Sequence, residues 1–299
     1  MVIERTPLED ELGDVLDKAI RHAGLSETVV AARAGVPESR LRDAIDYRSD
    51  LTEAELDRLA TVLGLGKVGL GMLASGRYPL PEILGLPFCL FPLRLQHGIG
   101  VANAYLVADC SSDRGLLFDT GPSGLALRRV WPSRLRHVEA VFITHAETEH
   151  VGGLEDVRVA QRNPPVFAPS GSGVVGATQM SDGARLEFAG FTVTVLSTPG
   201  HAEAHHSYLV RSTHAPTGTG LLLSGDLLFA GSIGGGFFCP NRLRTSIDRL
   251  VGSLPPETVV APGHGPLTTL GNEGTYNPFL AVGGGGNYSL PSLRAATMR

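Results

Sequence analysis

The feature that most constrains the fold is a set of metal-binding side chains directly after an apolar segment. Residues 141–143 have the apolar character of a buried strand, and the next seven residues contain His145, Glu147, Glu149 and His150. A loop at a strand end can direct several imidazole and carboxylate groups to one point, and such ligands suit zinc, iron or manganese. In isolation, two histidines and two acids would suit a solvated loop equally well.

Three later apolar segments support a metal site, because each leads into another candidate ligand. The segments are 191–198, 221–225 and 258–261, and the ligands that follow them are His201, Asp226 and His264. Strand patterns alternate with helical ones, which predicts an α/β fold with mixed sheets. Since functional groups gather at the carboxyl ends of strands in such sheets, we expect these residues to lie together.

The ordered ligands, together with Asp119-Thr120-Gly121 and Gly152-Gly153, resemble the pattern of the metallo-β-lactamase superfamily. The resemblance covers roughly residues 95–280 and implies an αβ/βα sandwich with the metal site at one edge. Segments 225–233, 262–266 and 277–279 are similar to glyoxalase II-like hydrolases and their persulfide dioxygenase relatives. The resemblance also implies that Asp119 orients a ligand rather than binding the metal.

The resemblance divides the candidate ligands between one or two divalent metal ions. One ion would take His145, His201 and the bridging Asp226, with Glu147 as a further ligand. A second ion would take His150, His264 and Asp226, with Glu149 as a ligand or a catalytic base. Persulfide dioxygenases use one iron at the positions of His145, His201 and Asp226, so the sequence supports one metal more firmly than two.

The chain departs from the usual superfamily motif, His-x-His-x-Asp-His, because it has His-x-Glu-x-Glu-His. Glu147 replaces a neutral imidazole by a carboxylate, which shifts the preference from zinc towards a harder metal such as iron or manganese. The flavodiiron proteins resemble the chain at this position, so a glutamate is compatible with metal binding. Glu149 is one methylene longer than the usual aspartate, which leaves the second metal position less defined.

Two loops near the expected site also differ from the hydrolase pattern. After His201, the chain carries His205 and His206, which would point to opposite faces if a strand follows. We expect one of them, His205, to act as an acid or base if it reaches the site, and the alternative is a packed or solvent-facing histidine.

The second loop follows Ile233 and is rich in glycine. It lacks the Arg-Thr-Asp that commonly follows in this branch, which argues against a glutathione substrate. Phe237, Phe238 and Cys239 could line an apolar substrate pocket, or they could simply pack within the loop.

The first 75 residues predict a small all-α domain. Apolar residues at helical spacing indicate a helix at about 7–23, Ser26 can cap a second helix, and Thr52 with Glu55 forms a capping-box pattern. Segment 27–45 resembles the helix-turn-helix of Cro/CI-type repressors, a family that places this region in the DNA major groove. However, residues 1–75 contain nine basic and fourteen acidic residues, so we expect no nucleic-acid partner. A bundle for homodimerisation or for covering the active site is the preferred interpretation.

Composition sets the remaining expectations. With 42% hydrophobic and 18% charged residues, the chain of 299 residues can bury a full core, and its formal charge of -5 offers no attraction for nucleic acid or anionic membranes. The three cysteines are too few and too scattered for a disulfide framework, and no segment is long enough to span a bilayer. We therefore expect a cytoplasmic protein without a membrane partner. A linker over 76–94 and a tail over 281–299 would flank the metal-binding domain at 95–280.

Three functions compete at this point. The first is hydrolysis of a small-molecule thioester, ester or lactone by metal-activated water, with Glu149, Asp226 or His205 handling protons. The second is non-haem iron chemistry on oxygen or a persulfide. The third is a metal-binding ligand sensor that regulates transcription through the helix-turn-helix.

Overall fold

The computed structural model describes residues 6–188 and 190–280. Contacts among them divide the chain into two units. Residues 11–78 and 276–280 form a helical unit, whereas residues 6–10 and the described part of 79–275 form a unit based on β-sheets.

The helical unit contains five helices that confirm the predicted all-α region. They are α1 (Leu12–His22), α2 (Glu27–Ala34), α3 (Glu38–Ile45), α4 (Glu53–Leu63) and α5 (Lys67–Ala74). Helix α1 begins at Leu12 rather than near residue 7 as predicted. The preceding residues, 6–10, belong to the sheet unit.

The two predicted helix caps of this unit are confirmed. The Ser26 hydroxyl accepts a hydrogen bond from the Val29 amide, and Thr52 and Glu55 form a reciprocal capping box. Gly35 and Gly64 end their helices in the left-handed conformation, at φ 61° and 67°, which favours glycine. Local sequence therefore determines where these helices begin and end.

The sheet unit contains two six-stranded sheets. The first has the order β1-β2-β3-β4-β5-β6, with β1 (Cys89–His97), β2 (Gly100–Ala108), β3 (Arg114–Phe118), β4 (His137–Phe142), β5 (Val166–Pro169) and β6 (Thr178–Met180). Its strands pair antiparallel from β1 to β3 and parallel from β3 to β6. Strands β2 and β3 thus form an antiparallel hairpin.

The second sheet begins with β7 (Arg185–Phe188), β8 (Phe191–Ser197), β9 (His206–Ser212) and β10 (Leu221–Gly225). A separate hairpin follows, made of β11 (Leu228–Phe229) and β12 (Ser232–Ile233). The sheet is completed by β13 (Val259–Pro262) and β14 (Thr268–Thr269), in the order β14-β13-β10-β9-β8-β7. The helices of this unit are α6 (Gly124–Val130), α7 (Thr148–Val151), α8 (Leu154–Ala160), α9 (Pro240–Ser253) and α10 (Leu270–Tyr276).

Strand β2 shows how the layers form. Its side chains alternate between faces, so Tyr105 and Val107 enter the core between the two sheets, where they join residues of the second sheet such as Val193. Ala104 and Leu106 enter a second core that includes apolar side chains of α6 and α8. A strand covered on both faces needs an almost continuous apolar sequence, which explains the run from Val101 to Ala108. The fold confirms the predicted αβ/βα sandwich.

The sequence-based prediction that the cysteines are too scattered to pair is wrong. Cys89 and Cys110 form a disulfide, with Cα atoms 5.1 Å apart, and Cys239 is the free cysteine of the described residues. The physical reason is the register of β1 and β2, which aligns Cys89 with Ala108 and so brings Cys110 beside it.

Strand β1 starts at Cys89, within the segment 76–94 that was predicted as a linker.

Among the described residues, no helix is long and apolar enough to cross a membrane. The predicted tail, 281–299, lies outside the described residues.

Candidate metal centre

The site forms where five predicted ligands follow the ends of four strands. His145 and His150 come after β4, His201 after β8, Asp226 directly after β10 and His264 after β13. Because β4 belongs to the first sheet and the other three strands to the second, both sheets contribute to one edge of the sandwich. The edge position predicted for the site follows from this topology.

Two groups of side chains in the described chain have donor atoms close enough to share a metal. His145, Glu147 and His201 form one group, and His145, His150 and Asp226 form the other, with all donor atoms of a group within 4.8 Å of one another. The members are buried except for Glu147. Imidazole and carboxylate donors at this spacing suit a transition metal such as zinc or iron.

Asp226 occupies the middle of the site. Its Oδ1 lies 3.4 Å from Nε2 of His150, while its Oδ2 lies 3.7 Å from Nε2 of His201 and 3.2 Å from Nε2 of His264. One carboxylate therefore faces both predicted ligand sets, as a bridging ligand would.

The hydrogen bonds of the four histidines share one pattern. In each ring, Nδ1 is within hydrogen-bonding distance of an oxygen of the protein. For His145 and His150 the partners are side-chain oxygens, Thr144 Oγ1 at 2.9 Å and Asp119 Oδ2 at 3.1 Å. For His201 and His264 they are the backbone carbonyls of Gly235 and Val101, each at 3.0 Å. Such partners fix the orientation of each ring and leave Nε2 for a metal.

Orphaned buried atoms provide a test of whether a cation fits. His145 Nε2, His150 Nε2 and Asp226 Oδ1 are buried and have no hydrogen-bond partner. Leaving a buried polar atom unpaired costs about 1–3 kcal/mol, so three such atoms in one place require an explanation. A divalent cation would satisfy all three, and the donor set therefore fits a metal.

The electrostatics of the site agree with this conclusion. Burial opposes ionisation of Asp226, but His264 and His150 outweigh it and hold the pKa of Asp226 well below its usual range. Burial likewise opposes the charged forms of His150 and His264, yet Asp226 raises the pKa of His150 well above the ordinary value and that of His264 to about 9. Protons on these rings thus neutralise Asp226 in the metal-free protein, and a metal would displace them.

Asp119 supports the candidate ligands through hydrogen bonds, as the resemblance implies. Its carboxylate accepts hydrogen bonds from the Thr144 amide and hydroxyl, both at 2.8 Å, and contacts His150. The backbone of Asp119 lies at φ 57°, a left-handed conformation that is uncommon outside glycine and that recurs at functional sites. This residue positions ligands rather than reaching the centre itself.

Glu147 lies at the open rim of the site. Its side chain is 43% exposed, its Oε1 is 3.0 Å from His201 Nε2, and its Oε2 is 4.0 Å from His145 Nε2. The hydrogen bond with His201 lowers the pKa of Glu147, so this carboxylate is ionised at neutral pH. It is placed to bind a metal at the first position.

Glu149 is not brought into either group of donors. Its carboxylate lies 3.9 Å from Nε2 of His97, at the end of β1. Glu149 lies in the first turn of α7, which begins one residue earlier at Thr148. Its predicted role as ligand or base has no direct contact with Asp226 to support it.

His205 lies beside the ligands, with its ring centroid 5.1 Å from that of His145. Its Nδ1 is 2.8 Å from the Thr198 hydroxyl, and its Nε2 accepts a hydrogen bond from the Asp226 amide at 3.2 Å. Burial lowers the pKa of His205 to about 3, so the ring is neutral. Because both of its ring nitrogens are hydrogen-bonded, His205 has the contacts of a residue that positions Asp226. His206, in contrast, begins β9 and packs near Tyr208.

Sequence reasoning missed several supporting groups. The carbonyls of Val101 and Gly235 carry no sequence signal, since any residue supplies a carbonyl. Gly263 did carry a sequence signal, because it lies in the Pro-Gly-His-Gly motif. A Cβ at this position would overlap Asp226 Oδ1. The glycine allows the loop that carries His264 to approach the central carboxylate.

Comparison with known proteins agrees with this geometry. Residues 97–264 match the profile of the Metallo-beta-lactamase superfamily. The probable metallo-hydrolase YqgX of Bacillus subtilis is 32% identical over 214 residues, which are 62% of this chain and 96% of that protein. A hydroxyacylglutathione hydrolase of Pseudomonas entomophila is 31% identical over 162 residues, and the chain spans only 60% of its length.

Among solved structures, TTHA1623 in a di-iron-bound form is 32% identical. The match has a TM-score of 0.51 and covers 64% of this chain and all of that one.

Proposed function

The chain belongs to the metallo-β-lactamase superfamily, and we propose that it is a metal-dependent hydrolase acting on a small-molecule thioester, ester or lactone. The observation that carries this proposal is the central carboxylate of Asp226, which lies within 3.7 Å of the Nε2 atoms of three histidines. Relatives support the reaction class, since those named above include a probable metallo-hydrolase and a hydroxyacylglutathione hydrolase.

The residues that would hold the metal divide into two sets around Asp226. His145 and His201, with Glu147 at the rim, would hold the first ion, and His150 and His264 would hold a second. A bound divalent cation supplies a Lewis acid that polarises a carbonyl and lowers the pKa of water. The first set includes a second carboxylate, that of Glu147, whereas Glu149 does not join the second set, so the first position is the better supported one.

The chain's own residues perform the remaining tasks. Asp119 and Thr144 fix the rings of His150 and His145, and His205 fixes the backbone of Asp226. Glu147 is the ionised carboxylate at the exposed side of the site, where a substrate arrives. We therefore propose that Glu147, rather than Glu149, accepts a proton from the attacking water, with one carboxylate oxygen free for this role while the other holds the metal.

An iron enzyme acting on oxygen or a persulfide is the second candidate. It is favoured by the carboxylate of Glu147 next to His201, because an oxygen ligand suits iron better than zinc. One relative has been solved in a di-iron-bound form, which supports iron as a candidate metal. Oxygen consumption with a persulfide, tested on iron-loaded protein, separates this candidate from the hydrolase.

We propose no DNA-binding role for the helical unit, because the arginines in and just after α3 are paired with carboxylates of the same unit. In α3, Arg40 pairs with Glu55 at 2.6 Å. Arg42, also in α3, pairs with Glu27 and Glu38, each at 3.0 Å. Arg48, just after this helix, pairs with Asp43 at 2.9 Å and with Asp46 at 2.8 Å. A phosphate would have to compete with a carboxylate for each guanidinium. Homodimerisation remains our proposal for this unit.

The proposed hydrolysis is tested by thioester turnover in two histidine variants. His201→Ala removes a ligand and should lower kcat/KM by at least about a hundredfold, together with the bound metal. His137→Ala is the matched control, since His137 begins β4, the strand that leads to His145, but is exposed. Full activity and full metal content in His201→Ala would contradict the ligand assignment.

A further inference from the structure

Two consecutive aromatic side chains are exposed beside the candidate metal centre. Phe237 is 70% exposed, and its ring centroid lies 5.3 Å from that of His201 in an edge-to-face arrangement. Phe238 is 40% exposed, and the guanidinium of Arg242 lies over its ring at 5.6 Å. A single exposed phenylalanine is ordinary, but an exposed ring in contact with a metal ligand borders the place where a substrate reacts.

Backbone hydrogen bonds fix this ring relative to His201. The amide of Phe238 donates to the His201 carbonyl at 3.1 Å, and the amide of Cys239 donates to the Gly200 carbonyl at 3.0 Å. From the other side, Nδ1 of His201 bonds the Gly235 carbonyl at 3.0 Å. The backbone on both sides of Phe237 is therefore bonded to His201 and its neighbour Gly200, which keeps this part of the loop next to the site.

The neighbouring glycine shows that the ring's position is built into the loop. A Cβ at Gly235 would overlap the ring of Phe237. Any other residue at this position would displace the ring from His201 or shift the loop. Gly235 therefore leaves room for an apolar ring at the rim of an otherwise polar site.

We propose that Phe237 determines substrate specificity by contacting an apolar acyl group while the scissile carbonyl lies at the metal centre. This inference rests on the proposed hydrolysis. The ring that faces the substrate is that of Phe237, because Phe238 already has Arg242 over its ring. An aliphatic chain of several carbons or an aromatic acyl group would cover the ring, whereas an acetyl group is too short to do so.

The test compares acyl chains on one thiol. Acetyl, butanoyl and hexanoyl thioesters of N-acetylcysteamine are offered to the metal-loaded protein, and thiol release gives kcat/KM. Phe237→Ala should lower kcat/KM for the hexanoyl ester about tenfold more than for the acetyl ester. Phe237→Leu, which keeps an apolar side chain, should retain most of the preference. Leu125→Ala, at a 54% exposed leucine on α6, should leave it unchanged.

A second readout keeps this inference separate from the proposed reaction. Calorimetric binding of hexanoate and acetate to the same proteins needs no turnover. Tighter binding of hexanoate that Phe237→Ala abolishes supports the apolar contact even if no thioester is hydrolysed, and in that case only the proposed hydrolysis fails. An unchanged hexanoyl-to-acetyl ratio in Phe237→Ala, in both turnover and binding, would overturn the role of Phe237.

Discussion

At the scale of single residues, the site depends on hydrogen bonds that aim the ligands. Each of the four histidines places Nδ1 against an oxygen of the protein, so that Nε2 faces Asp226 or lies near it. Removing one of these oxygens should weaken metal binding without removing a ligand.

Asp119→Asn tests this principle, because it keeps the size of the side chain but replaces one carboxylate oxygen by a donor. That oxygen can no longer accept the hydrogen bonds of both Thr144 and His150. We expect metal affinity, measured by competition with a chelator, to fall about 10–100-fold. Asp109→Asn is the control, since Asp109 lies in the turn between β2 and β3 and, among the hydrogen bonds of the described residues, its carboxylate accepts only from Ser111. Equal affinity in Asp119→Asn and Asp109→Asn would contradict the positioning role.

The pH dependence of metal binding follows from the histidines of the metal-free site. Asp226, acting against burial, raises the pKa of His264 to about 9. The ring is therefore protonated at neutral pH, and the metal must displace a proton that becomes easier to remove as pH rises. We expect the metal dissociation constant to decrease from pH 6 to pH 9, by up to about tenfold per pH unit for each proton displaced. An affinity that is constant or that falls over this range would show that no such proton is released.

Sequence reasoning identified the candidate ligands that the structure brings together, but not the roles of all site residues. His145, His150, His201, Asp226 and His264 could be found because each follows an apolar strand and belongs to a motif of known order. The roles of Glu149 and His205 could not be settled in this way. Those roles depend on the turn at Thr148 and on a hydrogen bond to the Asp226 amide, and neither leaves a pattern in the sequence.

At the scale of elements, the disulfide connects the first strand to the following turn. Cys89 begins β1, the edge strand of its sheet, and Cys110 lies just beyond β2. The other end of β1 carries His97, which contacts Glu149. The sequence could not reveal this bond, because the two cysteines are 21 residues apart and meet only through the register of the hairpin.

Cys110→Ser should lower the free energy of unfolding by about 3 kcal/mol, as expected from opening a loop of this length. Denaturant unfolding under non-reducing conditions measures the change. Cys239→Ser, at the free cysteine, should have little effect. Thiol titration of the unfolded wild-type protein should find one free thiol, and three free thiols would show that the disulfide does not form.

At the scale of the whole molecule, the chain combines a helical unit with a metallo-β-lactamase sandwich. Helix boundaries in the first unit were predictable because caps and glycines act locally. The sandwich was predictable only through its ordered ligands, since no local signal determines which strands share a sheet. The pairing of β10 with β13 rather than with the hairpin between them illustrates this limit.

The helical unit should not bind DNA. Fluorescence anisotropy with random duplexes at low salt should show no association, because the arginines of α3 are neutralised by their own carboxylates. Binding that weakens steeply with added salt, and that Arg42→Ala reduces, would instead support the regulator.

The central claim is that the residues around Asp226 hold a catalytic metal. Its most direct test is the metal content per chain, measured by mass spectrometry on protein purified without added metal and again after incubation with zinc or iron(II). We predict one or two equivalents of zinc or iron, retained through dialysis. A chain that retains no stoichiometric metal under either condition would contradict the account.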